Sequence, residues 1–171
     1  MSSFLNAIEA LNKSKARYAI VGGFAGVMHG NNRFTADLDV VVDIDSAASR
    51  RVIDELMGAG FKATLKDDPH LFSDPLTREK WRKEKNVRVF SLYDPTNPTF
   101  AVDLFLEPPL PFEQLMKNAV TITLRGNPCS VCALSDLVTM KEMAGRPQDK
   151  LDLEVLKILQ TRNKLGPHGK Q

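Results

Sequence analysis

The sequence predicts an α/β (α+β) fold with a helical C-terminus, and three features predict it. Between Ala19 and Asp43 an apolar run, a Gly22-Gly23 pair and a short helix-like segment lead into a second apolar run. The stretches 61–65, 87–92 and 99–106 read as strands bounded by Gly, Pro, Asn and Asp. From Leu134 onward the apolar residues recur at helical spacing.

Length and composition set the frame. At 171 residues the chain suits one domain, 1–165, with a frayed tail over 166–171, and needs no disulfide to bury a core. Its 43% hydrophobic and 26% charged residues are those of a soluble globular protein, and a formal charge of +2 excludes a global field that draws it onto nucleic acid. The longest apolar window, Tyr18 to Met28, is too short and glycine-rich to span a bilayer, and no leader-like segment opens the chain. The expectation is a cytoplasmic protein with no membrane partner. Cys129 and Cys132 form one C-x-x-C without a second pair, so two small residues on a strand-like segment stand against a metal or redox role.

In chain order, Phe4, Ile8 and Leu11 predict an opening amphipathic helix, and Ala19, Ile20 and Val21 a buried strand. Phe24 to His29 follows as a short helix, and Asp37 to Val42 as a second strand. Asp45 or Ser46 offers the cap of a helix that buries Val52, Ile53, Leu56 and Met57 and stops at Gly58 and Gly60. Phe61, Ala63 and Leu65 alternate with polar residues as a half-exposed strand. Asp74 caps a basic helix from Pro75 to about Lys85 that carries the only tryptophan, Trp81. That segment is either a solvated excursion over a sheet edge or a cationic wall with an aromatic for a polyanion or a base. Two strands flank the turn 93–98, prolines end the second, and Phe112 to Asn118 forms one helix. Val120 to Leu124 and Pro128 to Ala133 pair around Gly126-Asn127. Two helices close the chain, broken at Gly145-Arg146-Pro147, the last with Leu151, Val155, Ile158 and Leu159 as its core stripe.

The chemistry gathers at three acids. Side chains alternate along a strand, so Asp37 and Asp39 point one way while Leu38, Val40 and Val42 point the other. Two such carboxylates repel each other unless a divalent cation sits between them. The Gly22-Gly23 turn lets a ligand approach the backbone, and the helix behind it aims free N–H groups at an anion such as phosphate. Asp103, alone within the apolar run 100–106, is either a satisfied core aspartate or a third metal ligand. A phosphate turn beside paired acids describes phosphoryl or nucleotidyl transfer.

Gly22-Gly23, thirteen residues, Asp37-Leu38-Asp39 and a later lone acid, Asp103, together resemble the nucleotidyltransferase superfamily that includes DNA polymerase beta. Arg33-Phe34-Thr35-Ala36 before the first acid resembles its small members. The segment LSDLVTMKEMAGRPQDKLDLEVL, with Lys141 ahead of Asp149-Lys150-Leu151-Asp152, is similar to the AbiEii-type nucleotidyltransferases of bacterial toxin–antitoxin systems. The resemblance implies a small mixed sheet flanked by helices and a Mg²⁺-dependent nucleotidyltransferase. Asp37, Asp39 and Asp103 would hold two Mg²⁺ (or Mn²⁺) and carry the catalysis. Gly22, Gly23 and Phe24, with Arg33, Thr35 and Lys141, would bind a nucleoside triphosphate such as ATP. The acceptor would be a hydroxyl of RNA, protein or a small molecule, and pyrophosphate would leave. A cognate antitoxin or helical protein would be the partner.

Other readings stay open. The chain could be a non-catalytic or toxin–antitoxin interaction module that retains the fold, or a metal-dependent phosphohydrolase using His29 or His70. Lys141 and Arg146 could be helix-surface cations, and Asp149 and Asp152 first-turn acids matching the helix dipole.

Overall fold

The structure, a computed structural model, describes residues 2–44 and 46–164. α1 (Ser2–Lys13) forms where the apolar spacing predicts it and buries Ala7, Ile8, Ala10 and Leu11. β1 (Tyr18–Ile20) is fully buried and runs into α2 (Gly22–Met28). α2 begins two residues before the expected Phe24, so both glycines lie in its first turn, with Gly22 at φ +64°.

β2 (Asp37–Val42), α3 (Ser46–Gly58) and β3 (Lys62–Ala63) follow. The cap expected at Asp45 or Ser46 and the tail expected over 166–171 lie outside the described residues and side chains. Val52, Ile53 and Leu56 are fully buried, but Met57 is 41% exposed, because residues 57–60 lie past the packed face where the chain turns.

A 3-10 turn (Pro69–Ser73) precedes α4 (Pro75–Glu84), whose Asp74 cap accepts from the Thr77 N–H at 2.8 Å and the Thr77 hydroxyl at 2.6 Å. The expectation that Trp81 could face a polyanion or base is corrected here. Trp81 is buried, stacks on Phe90 with centroids 5.5 Å apart, and donates its Nε1–H to Asp67 at 2.9 Å. Its large apolar area is worth more against Phe90 than in solvent.

β4 (Val89–Asp94), β5 (Asn97–Phe105), α5 (Phe112–Asn118), β6 (Val120–Leu124) and β7 (Asn127–Val131) complete a seven-stranded mixed sheet in the order β3-β4-β5-β2-β1-β7-β6. β2 runs parallel to β5, and β1 antiparallel to β2. One face carries Leu38, Val40, Phe90, Leu92, Val102 and Leu104, all buried. α1 reaches that layer through Phe4, whose ring lies 4.5 Å from that of Phe100.

α6 (Leu134–Ala144) ends at Gly145, whose φ of +61° makes the left-handed cap, and α7 (Pro147–Lys164) follows. The stripe expected on α7 is corrected. Leu151, Val155 and Ile158 are 61%, 39% and 54% exposed, and Leu159 is only partly buried. The inward face carries Asp149, Asp152 and Leu156 instead, spaced three and four residues apart. Apolar periodicity lost to two acids that share the buried cation of Lys141.

Candidate active site

Strand register assembles the three acids. Asp39 pairs with Asp103 across the parallel β2–β5 ladder, and Asp37 pairs with Ala101. Residues two apart on a strand share a face, so Asp37, Asp39 and Asp103 stand on the same side of the sheet, opposite the apolar core. Across the β4–β5 hairpin Ser91 pairs with Asp103, and its hydroxyl donates to Asp103 Oδ1 at 2.6 Å. Sequence reasoning missed Ser91, because only the hairpin register, with its irregularity between Tyr93 and Asp94, brings the two together.

β1 delivers the glycine turn to the same spot, its Val21 N–H bonded to the Asp39 carbonyl at 2.9 Å. A Cβ on Gly22 would lie 2.0 Å from Asp39 Oδ2, so no side chain fits between turn and acid. A Cβ on Gly23 would lie 2.7 Å from Thr35 Oγ1 and 2.9 Å from Arg33 Nη2. Thr35 and Arg33 therefore fold over the start of α2, and Phe34 between them is turned out, 88% exposed. Phe24 packs inward, its ring stacked 4.4 Å from that of Phe4, so only its main chain faces the turn. His29 Nε2 lies 2.7 Å from the Cys132 carbonyl, and His70 bridges Asp54 and Asp68. Both histidines are engaged away from the acids.

The field at the acids is uncompensated. Burial, then the charge of Asp103, then that of Asp37 push the Asp39 carboxyl up to about 6, although the Gly23 N–H and the cation of Arg146 pull it down. Asp37 is raised by burial and by Asp103. Among the described residues no group of three or more His, Cys, Asp or Glu side chains is placed, as they stand, so that it could hold a metal ion. The chemistry of the three side chains, all oxygen donors, is nonetheless the kind that a hard divalent cation takes. A cation there would offset the burial and the charges of Asp103 and Asp37 that together hold Asp39 near 6.

Lys141 lies behind this face and is neither a surface cation nor open to solvent. It is 6% exposed and bonds Asp152 Oδ2 at 2.6 Å and Asp149 Oδ1 at 3.1 Å. Arg33 Nη1 reaches the same Asp152 oxygen at 2.7 Å, while Asn31 and Gln148 donate to Asp152 Oδ1, each at 3.3 Å. Arg33 Nε is buried without a partner among the described residues. Burial pushes Asp149 and Asp152 upward, but hydrogen bonds from Arg146 and Lys141, and from Lys141 and Arg33, outweigh it and leave both below the ordinary range. Arg146 Nε is held by Asp149 at 2.7 Å with its side chain 75% exposed, close enough to Asp39 to lower it. Its one signal in the sequence is its place in the Gly145-Arg146-Pro147 break between helices.

Cys129 and Cys132 are free, buried thiols, and burial, then the charge of Asp136, pushes Cys132 up to about 12. No helix of the described residues is long and apolar enough to cross a membrane.

Comparison with known proteins follows the same lines. Residues 3–141 match the family model described as the nucleotidyl transferase AbiEii toxin of a type IV toxin–antitoxin system. The lincomycin-bound lincosamide antibiotic adenylyltransferase LnuA superposes with a TM-score of 0.60 over 92% of this chain and 96% of its own, at 13% identity. The antibiotic-resistance factor ANT(2'')-Ia gives 0.59 over 94% and 82%, at 10% identity. An antigenic nucleotidyltransferase-like protein from Paracoccidioides brasiliensis gives 0.56 over 92% and 74%, at 16% identity. These likenesses establish the fold. No curated protein matches the chain by sequence.

Proposed function

Because the chain belongs to the AbiEii nucleotidyltransferase toxin family, we propose that it moves a nucleoside monophosphate from a nucleoside triphosphate to a hydroxyl acceptor, at Asp37, Asp39 and Asp103. The observation that carries this reading is the Asp39–Asp103 pairing beneath Gly22, which puts three acids on one face against a turn too tight for any side chain.

Asp37, Asp39 and Asp103 would hold Mg²⁺ (or Mn²⁺), which would supply positive charge against the phosphate charge of the transfer. The acids must be ionised to hold it, so binding strengthens as pH rises through about 6, where Asp39 loses its proton. The main chain of Gly22, Gly23 and Phe24 bounds the space for the phosphates, and Arg33 and Thr35 close over it. Arg146 faces Asp39 from the corner between α6 and α7 and supplies a further cation. Lys141 serves this site through Asp152, which fixes Arg33, rather than by touching phosphate itself.

In the transfer the acceptor oxygen bonds to the α-phosphorus as the bond from that phosphorus to the bridging oxygen breaks, and pyrophosphate leaves. Ser91 occupies Asp103 Oδ1, so Oδ2 accepts the acceptor's hydroxyl proton. The family's designation as a toxin makes a cognate antitoxin the expected partner, a protein whose co-expression should relieve any growth arrest.

Calorimetry with ATP, CTP, GTP and UTP, with Mg²⁺ or with EDTA, tests the reading. At least one nucleotide should bind only with the metal, and Asp39→Ala should weaken it at least about tenfold while circular dichroism stays native. Undiminished affinity in that variant removes the metal-site reading.

A further inference from the structure

The two ends of the sheet are finished differently. β3 closes one end with two residues, one of them Lys62, and an edge so short and charged recruits no further strand. β6 closes the other end with Val120-Thr121-Ile122-Thr123-Leu124, which holds no charge, no proline and no glycine. Its ladder with β7 runs unbroken from the Val120–Val131 pair to the Leu124–Asn127 pair, so no bulge twists this edge away. Val120, Thr121 and Thr123 are exposed.

Register decides which main-chain groups the free edge presents. The turn Arg125-Gly126 has φ of +48° and +87°, the two positive values of a type I′ hairpin, whose flanking residues, here Leu124 and Asn127, exchange main-chain hydrogen bonds. Antiparallel pairs alternate, so Ile122 and Val120 also bond toward β7, whereas Thr123 and Thr121 turn their N–H and C=O groups outward. Pro128 agrees with that alternation, since it has no N–H and stands opposite Thr123, where none is needed. Among the described residues no other segment bonds the outward groups.

The side chains make the edge complementary to itself. A second β6 laid antiparallel about Ile122 sets Ile122 against Ile122, Val120 against Leu124, and Thr121 against Thr123. Apolar residues then meet apolar ones and threonine meets threonine, the favourable cross-strand pairs. The flanking Arg125 falls opposite Ala119, so no like charges oppose each other. Ile122 and Leu124 already pack against the core, and Val120 shares their face, so the apolar stripe continues into the second copy. A two-fold axis requires a patch of this self-matching kind. We propose that this edge is an interface between two copies of the chain, joined by antiparallel β6–β6 pairing centred on Ile122.

Both Thr121–Thr123 pairs across the axis then exchange N–H···O bonds in each direction, and one sheet runs through the two copies. Two single strands bury less area than a permanent dimer needs, so the copies associate at micromolar rather than nanomolar concentration. β1 and β7 stand between β6 and β2, which leaves the three acids and the glycine turn uncovered. The pairing is therefore independent of the transferase reading.

Analytical ultracentrifugation of the full chain, from about 1 to 300 μM, tests it and should show a monomer–dimer equilibrium. Thr121→Lys with Thr123→Lys opposes like charges in both pairs across the axis. It should weaken association at least about tenfold while circular dichroism stays native, since both side chains are exposed. Thr121→Lys with Thr123→Glu opposes unlike charges in the same register and should restore association to within about threefold of wild type. A wild type that stays monomeric, a dimer that the double lysine variant leaves intact, or a lysine–glutamate variant that fails to recover overturns the pairing. So does a dimer lost only in Ile158→Glu, which would belong to the exposed stripe of α7.

Discussion

Two groups of aspartates in this molecule share one chemistry and meet opposite fates. Asp149 and Asp152 are nearly inaccessible, yet Lys141, Arg33 and Arg146 hold them below the ordinary carboxylate range. Asp37 and Asp39 are more open, yet both are raised, because burial and the charge of Asp103 act on them with too little positive charge in reply. Burial alone therefore does not decide which way a carboxyl shifts. What separates the two groups is whether the fold supplies the counter-charge.

The largest expected break in that comparison is Asp152→Ala. It strands the buried Lys141 with one partner and frees Arg33, and removing one member of such a cluster costs about 3–5 kcal/mol. Urea unfolding measures it, and a loss below about 1 kcal/mol would mean that the cluster is solvated. The sign with pH follows. Asp149 and Asp152 are lowered, so their contribution is present above the unfolded value and lost as pH falls through their folded ones.

Asp39→Asn should act in the opposite direction. A carboxyl raised to about 6 contributes stability below its unfolded value of 3.8 and loses it as pH rises through 6. The amide removes that loss, so the variant should gain about 1–2 kcal/mol at pH 8 after allowance for partial exposure, and almost nothing at pH 3.5. A variant less stable than wild type at pH 8 would show that Asp39 is already neutralised by the fold.

Saturating Mg²⁺ sharpens the same contrast more gently. At ten times its dissociation constant a ligand of the native state adds about 1.4 kcal/mol, a rise of a few degrees in Tm. Thermal melts at pH 8 should show that rise in wild type and lose it in Asp39→Asn, with EDTA reversing it. The smallest effect is expected at Cys132, where a thiol pushed up to about 12 should resist iodoacetamide at pH 8 until the protein is unfolded.

Much of this was legible in the chain itself. Asp37 and Asp39 on one face, Asp103 opposed to its apolar neighbours, the Asp74 cap and the Gly126 hairpin all follow from local periods and backbone preferences. α7 was misread because Leu151, Val155 and Ile158 have helical spacing as good as that of Asp149, Asp152 and Leu156, and only the position of Lys141 decides which face turns in. The basic company of Trp81 on α4 leaves its setting open, and only the packing beside Phe90 decides that it is buried. Ser91 carried no signal at all, because its value lies in a register.

The sequence by itself determined where strands and helices form, where the chain must turn on glycine, and which residues bring negative charge to one strand face. Those are short-range consequences of side-chain alternation, helical period and backbone sterics. Tertiary structure decided that Asp103 joins Asp39 across a parallel ladder, that Arg33 closes over Gly23 while tied to Asp152, and that Arg146 faces the acids. Electrostatic pairing depends on distances between residues far apart in the chain, and only the packed sheet and helices set those distances.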